Sequence, residues 1–366
     1  MPRTRRIVAA CFLSVVLWFG VDALLFRTNL YPSILEPDST AGEYELVLMR
    51  EREFFKRHSH EKIVTTLGNS QFAYLPRLAN ELTSQTGYVF RHAGVAGTNP
   101  RTWFYMMRDL DPTADRYEAL VIGLSSFDDE DGPANPADGW YDLHYAIVRL
   151  RLADTLDFAR SYEDSHLRWV ALRGGIFKGF VLQRDIQEFL SAPAERIRKV
   201  RADRRGYEYW TYTFQESERS MSGFQIDWQT GRYTPSPDAD QEQKDSVQSV
   251  LYRRGFPQSG KLGAFYRVWL GRLLDRYRGS RTKIIFVRLP RGPVPAPDGM
   301  IRARSAVVRE FAQRPNVMLC PERRFDELER PELFKDAIHL NRAGIARFSP
   351  MLAEQIAGML GGSTGN

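Results

Sequence analysis

The chain has 366 residues, of which 43% are hydrophobic, enough to bury one large domain or a domain carrying an insertion. The net charge is +6, and Arg and Lys alternate with acids, as in Arg50-Glu51-Arg52-Glu53 and Glu322-Arg323-Arg324. With no basic stripe and interleaved aromatics, nucleic acid is excluded as the expected partner.

Residues 7–25 are almost uninterruptedly apolar, broken by Ser14, Gly20 and Asp22. At ~1.5 Å per residue such a helix just crosses the ~30 Å hydrocarbon core of a bilayer. Arg3, Arg5 and Arg6 precede it, which by the positive-inside rule keeps the tip cytoplasmic and sends the rest outward. A cleaved leader is the rival, but Val21-Asp22-Ala23 is a poor small-x-small site. The expectation is an uncleaved single-pass anchor over residues 1–27 in the inner (cytoplasmic) membrane, with the remainder extracytoplasmic or periplasmic.

Residues 28–60 read as a linker and a helix, with apolar positions Leu46, Val47, Met49 and Phe54 among charges. Strands and helices then alternate. Strands are expected at 62–67, 88–92, 117–124, 281–289 and 316–320, and helices at 71–82, 101–110 and 343–360. Short apolar strands separated by helices indicate α/β architecture with a parallel sheet covered on both faces.

Residues from about 130 to 280 interrupt this alternation as a large, mostly helical insertion placed to cap the site. Its expected helices are 142–158 and 185–200. It also holds Tyr207, Tyr209, Trp210, Tyr212, Phe214, Phe224 and Trp228, expected as the insertion's core, with stacking on sugar rings as the alternative, and a polar stretch, 234–243, expected as a mobile loop. The acidic run Asp128-Asp129-Glu130-Asp131 lacks EF-hand spacing, and His58-x-His60 has no third ligand nearby, so no metal and no cofactor are expected.

Ligands of open parallel sheets bind beyond the carboxyl ends of the strands. Ser70 follows the first strand, Gly97 the second, Ser125 the third, and Asp336 and His339 the fifth, so all converge on one rim. A serine hydroxyl is a weak nucleophile until a base takes its proton. His339 is suited to that task near neutral pH, and Asp336, three residues earlier, to fixing its tautomer. The oxyanion would be met by the N–H of Ser70 at a helix start, the N–H of Gly97, and Ser125.

These blocks resemble the SGNH (GDSL-type) hydrolase superfamily. Gly68-Asn69-Ser70 stands for its Gly-Asp-Ser, His92-Ala93-Gly94-Val95-Ala96-Gly97 for its second block, and Asp336-Ala337-Ile338-His339 for its last. The third block departs: Gly123-Leu124-Ser125-Ser126 puts serine where the family has its oxyanion-hole asparagine. The similarity covers residues 60–128 and 281–360 of an expected domain spanning 61–366. With the anchor and the Phe-x-Asp-x-x-His-Leu-Asn-x-x-Gly ending, it looks like the membrane-anchored DltD and alginate-acetylation branch.

The resemblance implies a three-layer, flavodoxin-like sheet with Ser70, His339 and Asp336 as nucleophile, base and orienter. It implies O-acyl transferase or esterase activity, acetyl being one case, on an extracytoplasmic cell-envelope polysaccharide, alongside a membrane-bound acyltransferase partner. The rival readings are a non-catalytic glycan-binding or assembly protein of the same fold, and a plain esterase acting on small or lipid esters.

Overall fold

The five apolar runs form five parallel strands. In chain order the strands are β1 (Ile63–Leu67), β2 (Val89–His92), β3 (Ala119–Leu124), β4 (Gln225–Asp227), β5 (Arg232–Thr234), β6 (Lys283–Arg288) and β7 (Val317–Leu319). β4 and β5 pair only with each other, antiparallel, while the other five make one sheet in the order β2-β1-β3-β6-β7. The computed structural model describes residues 3–72, 74–125, 127, 139–206, 217–253, 260–297 and 306–361. The expected α/β class with a parallel sheet holds.

Register explains why the strands are apolar throughout. Val64 lies beside Phe90 of β2 and Ala119 of β3, Val121 beside Ile285, and Ile285 beside Met318. All six residues of β3 are buried, as a central strand covered on both faces requires. Val64, Ala119, Val121, Ile285 and Val287 share one core with Phe348, Leu352 and Ile356 of the last helix, Arg342–Gly361. By the two-residue period of a strand, Leu120, Ile122, Ile284 and Phe286 point to the opposite face. The helix Pro100–Leu110 starts with Asn99, whose side chain accepts the N–H groups of Arg101 and Thr102, and with proline where no donor is missed. Helix Lys261–Arg276 packs against it through Trp269, whose ring lies 5.8 Å from Phe104 and 5.9 Å from Tyr105.

The residues divide into two compact units: 1–52 with 137–208, and 53–136 with 209–366. The interval expected as one insertion is therefore split. Residues 139–206 group with the N-terminal segment, while 217–253 and the helix Lys261–Arg276 belong with the sheet. Each expected long helix of the insertion is broken. Residues 142–158 become Trp140–Ile147, a short 3-10 turn Leu152–Asp154 and Thr155–Arg160. Residues 185–200 become Gln183–Ser191 and Pro193–Gly206, because proline cannot continue a preceding helix.

Among its described residues the first unit has helices and no strand, and it contains the apolar helix Arg3–Phe26. Phe158, Tyr162 and Ala171 are fully buried there. Buried Glu45 and Arg196 are paired there, as low-dielectric surroundings demand. Arg149 grips the Glu45 carboxylate with two nitrogens, and Arg196 reaches Glu36 at 2.8 Å and Asp185 at 2.9 Å.

Candidate active site

The Gly68-Asn69-Ser70 segment leaves β1 in a tight turn. The Asn69 side chain accepts the Gln71 N–H at 3.0 Å, and the Asn69 carbonyl accepts the Phe72 N–H at 3.0 Å. Asn69 is thus committed to the turn. Phe72 is 1% exposed, and its ring fills the space a side chain on Gly68 or Gly123 would occupy. The glycines of the first and third blocks therefore make room for one buried aromatic, which locks the turn carrying Ser70.

The helix expected to open at Ser70 does not. It begins at Pro76, runs only to Asn80, and is followed by a second short helix, Thr83–Thr86. Proline fixes the first helical position and forces the preceding residue to be extended, and Leu75 has φ −105° and ψ 105°. The Ser70 N–H consequently lies in a turn, without a helix N-terminus behind it. Leu75 ties the segment to the last helix by donating its N–H to Ser349 Oγ at 3.0 Å.

The second half of the site is a closed loop between Leu333 and Arg342. Phe334 and Leu340 form an antiparallel bridge, and the Lys335 N–H donates to the His339 carbonyl at 3.0 Å. Inside it, Asp336 Oδ1 accepts the N–H groups of Ile338 (2.9 Å) and His339 (2.8 Å). Asn341 closes the loop and starts the last helix. Its Oδ1 accepts the Gly344 N–H, while its Nδ2 donates to the carbonyls of Glu332 and Arg219. The Leu-Asn-x-x-Gly ending is therefore a helix cap that sets the height of His339.

These two halves meet. His339 Nε2 is 2.9 Å from Ser70 Oγ, and His339 Nδ1 is 2.8 Å from Asp336 Oδ2 and 3.0 Å from Oδ1. Asp336 is 7% exposed. Burial pushes its carboxyl up, but the hydrogen bonds and charge of His339, with the two backbone N–H groups, outweigh burial and hold it below the usual carboxylate range. An ionised Asp336 accepts from Nδ1–H, which leaves Nε2 with the lone pair facing Ser70. Serine, histidine and carboxylate form one hydrogen-bonded series.

Ser70 follows β1 and Ser125 follows β3, and the strand order reverses between these two strands. In open α/β sheets that reversal is where the connecting loops part and ligands enter. Ser125 is exposed there. Gly97 has φ +69°, a left-handed conformation that glycine adopts without steric cost. Beside it, Thr98 Oγ donates to the Val95 carbonyl and lies 3.2 Å from the Gly68 carbonyl, linking this turn to the Ser70 turn.

The sequence reading missed a third component, the segment 217–249. Met221 donates its N–H to the carbonyls of Pro331 and Phe334, and the Ser217 carbonyl accepts the Arg342 N–H. Gln243, 4% exposed, donates its amide to the Lys335 and Ser220 carbonyls, and Ser246 Oγ accepts the Ala337 N–H. The stretch 234–243, expected as a mobile loop, ends in a capped helix, Gln241–Arg253. Asp240 Oδ1 accepts the Gln243 N–H and Gln243 Oε1 accepts the Asp240 N–H, a reciprocal capping box. Asp240-x-x-Gln243 was the signal available in the sequence. Of the expected aromatic cluster, Phe224 joins the sheet core and Trp228 donates to the Pro295 carbonyl. Residues 207–214, Ser126 and the acidic run 128–131 lie outside the described residues.

Such an arrangement can deprotonate a serine hydroxyl and return the proton to a leaving group. No family model matches this chain, and a search of curated proteins finds no match.

Proposed function

We propose that the protein is a serine-dependent O-acyl transferase or esterase, acting on ester-linked acyl groups of an extracytoplasmic cell-envelope polysaccharide. The observation that carries the reading is the series Ser70 Oγ–His339 Nε2 at 2.9 Å and His339 Nδ1–Asp336 Oδ2 at 2.8 Å. Setting the β4–β5 hairpin aside, the sheet order is the 2-1-3-4-5 of doubly wound flavodoxin-like folds. That order supports the finer reading of a three-layer SGNH-like domain.

In this mechanism Ser70 Oγ attacks the acyl carbonyl as its proton passes to His339 Nε2. The oxyanion is received by the N–H groups of Ser70 and Gly97 and by the Ser125 hydroxyl. His339 then protonates the leaving alcohol, which gives a Ser70 acyl ester. A second hydroxyl, from water or from a sugar, gives its proton to the same nitrogen as it attacks the acyl carbon, and His339 returns that proton to the Ser70 oxygen as the acyl ester bond breaks. Asp336 stays ionised throughout and stabilises the imidazolium. Loss of one oxyanion donor in sites of this kind costs ~10²–10³ in rate.

The proposed location rests on Thr4–Phe26, long and apolar enough to span a membrane. Read as an uncleaved anchor with Arg5 and Arg6 at the cytoplasmic end, it puts the catalytic unit on the extracytoplasmic side, near membrane-bound acyl donors. The test is intact-mass labelling with a fluorophosphonate. One adduct on the native chain, absent from Ser70→Ala and His339→Ala, supports an activated serine. No adduct on a folded native chain would favour a glycan-binding role, to which Ser125 in place of an asparagine also points.

A further inference from the structure

The end of the apolar helix Arg3–Phe26 is built into the first unit. Asp22, 5% exposed, accepts the N–H groups of Lys178 at 3.1 Å and Gly179 at 2.9 Å, which open the 3-10 turn Lys178–Phe180. Arg27 donates to the carbonyls of Gly175 (2.6 Å) and Ile176 (3.0 Å), at the C-terminal end of helix Ser165–Ile176. Phe19 and Phe177 meet edge to face at 5.9 Å, and Phe26 is buried. Further up the helix the apolar side chains have no such cover: Phe12 is 70% and Leu13 67% exposed.

The surface continues from that junction. Trp169, Ile176 and Phe180 are exposed to 58%, 37% and 45%. Trp169, Arg173 and Ile176 recur at i, i+4 and i+7, so they share one face of helix Ser165–Ile176. Arg173 lies over the Phe180 ring at 5.0 Å from its centre, and Phe180 lies 6.1 Å from Phe177. An apolar strip with a cation on it thus runs on from the end of the membrane helix.

Depth along the helix says what covers this strip. Asp22 lies four residues before the helix end at Phe26, about 6 Å along the axis at ~1.5 Å per residue. A spanning helix of this length reaches the headgroups at its end, and interfacial amphipathic helices settle ~5–10 Å into that boundary. The turn Lys178–Phe180, bound to Asp22, is therefore held at interfacial depth. Trp and Phe with a neighbouring Arg are the side chains that favour it.

We propose that the face formed by Trp169, Ile176 and Phe180 inserts into the headgroup–acyl boundary of the lipid bilayer crossed by the N-terminal helix, with Arg173 at the phosphates. The proposal rests on the reading of that helix as a membrane span. It makes the helix a fixed post that sets the height of the first unit, instead of a loose tether.

The test uses the full chain in phosphatidylethanolamine–phosphatidylglycerol liposomes, with buried Cys320 replaced by alanine throughout and an environment-sensitive fluorophore on the single cysteine that remains. Native Cys11 reports on the span, and Trp169→Cys and Phe180→Cys, in a chain with Cys11 replaced by serine, report on the face. The expected result is quenching of the Cys11 label by deep nitroxide lipids and severalfold stronger quenching at 169 and 180 by shallow ones. Quenching at Cys11 with none at 169 or 180 would overturn the face and leave the span intact. No quenching at Cys11 would remove the span and the proposal with it. Protection of 169 and 180 only in native membranes would assign the face to a protein partner and also overturn it. Trp169→Phe repeats the test without a label, because brominated lipids should quench the native emission more than the variant's.

Discussion

The backbone of Gly344 lies against the carbonyl oxygen of Leu333 with no space for a side chain: a Cβ at 344 would collide with that oxygen and with Leu340. This contact joins the first turn of the last helix to the loop holding Asp336 and His339. Gly344→Ala is expected to push the loop away from the helix and to break the Asn341 cap, costing about 1–3 kcal/mol as overpacking. Fluorophosphonate labelling of Ser70 should fall at least tenfold, with a lower unfolding midpoint. A variant with unchanged labelling and midpoint would mean that the loop shifts without consequence for His339.

Gln243 couples a helix start to the same loop. One side of its amide completes the capping box with Asp240, and the other donates to Lys335 and Ser220 carbonyls. Gln243→Glu keeps the acceptor for Asp240 but puts a carboxylate oxygen against two carbonyls. Gln243→Ala removes both functions. If the residue positions the loop, Gln243→Glu should slow Ser70 labelling while leaving the helicity of Gln241–Arg253 intact, and Gln243→Ala should lose both. Equal behaviour of the two variants in labelling and in hydrogen exchange of that helix would point to a purely structural role.

Asp336 gives a pH-dependent signature. Its carboxyl is held below its ordinary range in the folded chain, so the unfolded chain binds more protons as the solution becomes acidic. Its contribution to stability is complete above the unfolded value of ~3.9 and is lost as pH falls through the lower, folded value. The gap in urea midpoint between the native chain and Asp336→Asn should be widest near neutral pH and narrow in acid. The variant should also label more slowly, on the order of 10⁴-fold if the tautomer of His339 is lost as it is in serine triads that lose their aspartate. A gap that does not change with pH would mean that Asp336 is not ionised in the fold.

The sheet was legible because each strand is buried on both faces, so β3, β6 and their neighbours appear as continuous apolar runs whatever their partners. The meeting of Ser70, Asp336 and His339 was legible because strand ends gather on one rim. What stayed hidden was long-range or depended on a break. Pro76, not Ser70, decides where the first helix starts, and the periodicity of 71–82 conceals it. The attachment of Asp22 to Lys178 spans 156 positions, and a lone acid in an apolar run gives no hint of its partner. Gln243 looked like one polar residue among many in 234–243, although its spacing from Asp240 carried the cap.

Lys178 offers a test of the first unit that does not involve catalysis. Its side chain is 2% exposed, and its amine donates to the Val148 carbonyl. Burial, reinforced by the charges of Arg27 and Arg149, pushes the amine down to about 7 against the attraction of Glu45 and Asp22. Between that value and ~10.4 the unfolded chain holds the proton that the folded chain has released. Stability should therefore rise with pH across this window, the same sign as for Asp336 but in a more alkaline range, since both gain as protons leave. Lys178→Met removes the titration and keeps most of the volume. Relative to the native chain in detergent, it should be most favourable below pH 7 and lose that advantage toward pH 10. A constant difference in urea midpoint from pH 6 to pH 10 would mean that Lys178 keeps its proton in the fold and is neutralised by Glu45 and Asp22 instead.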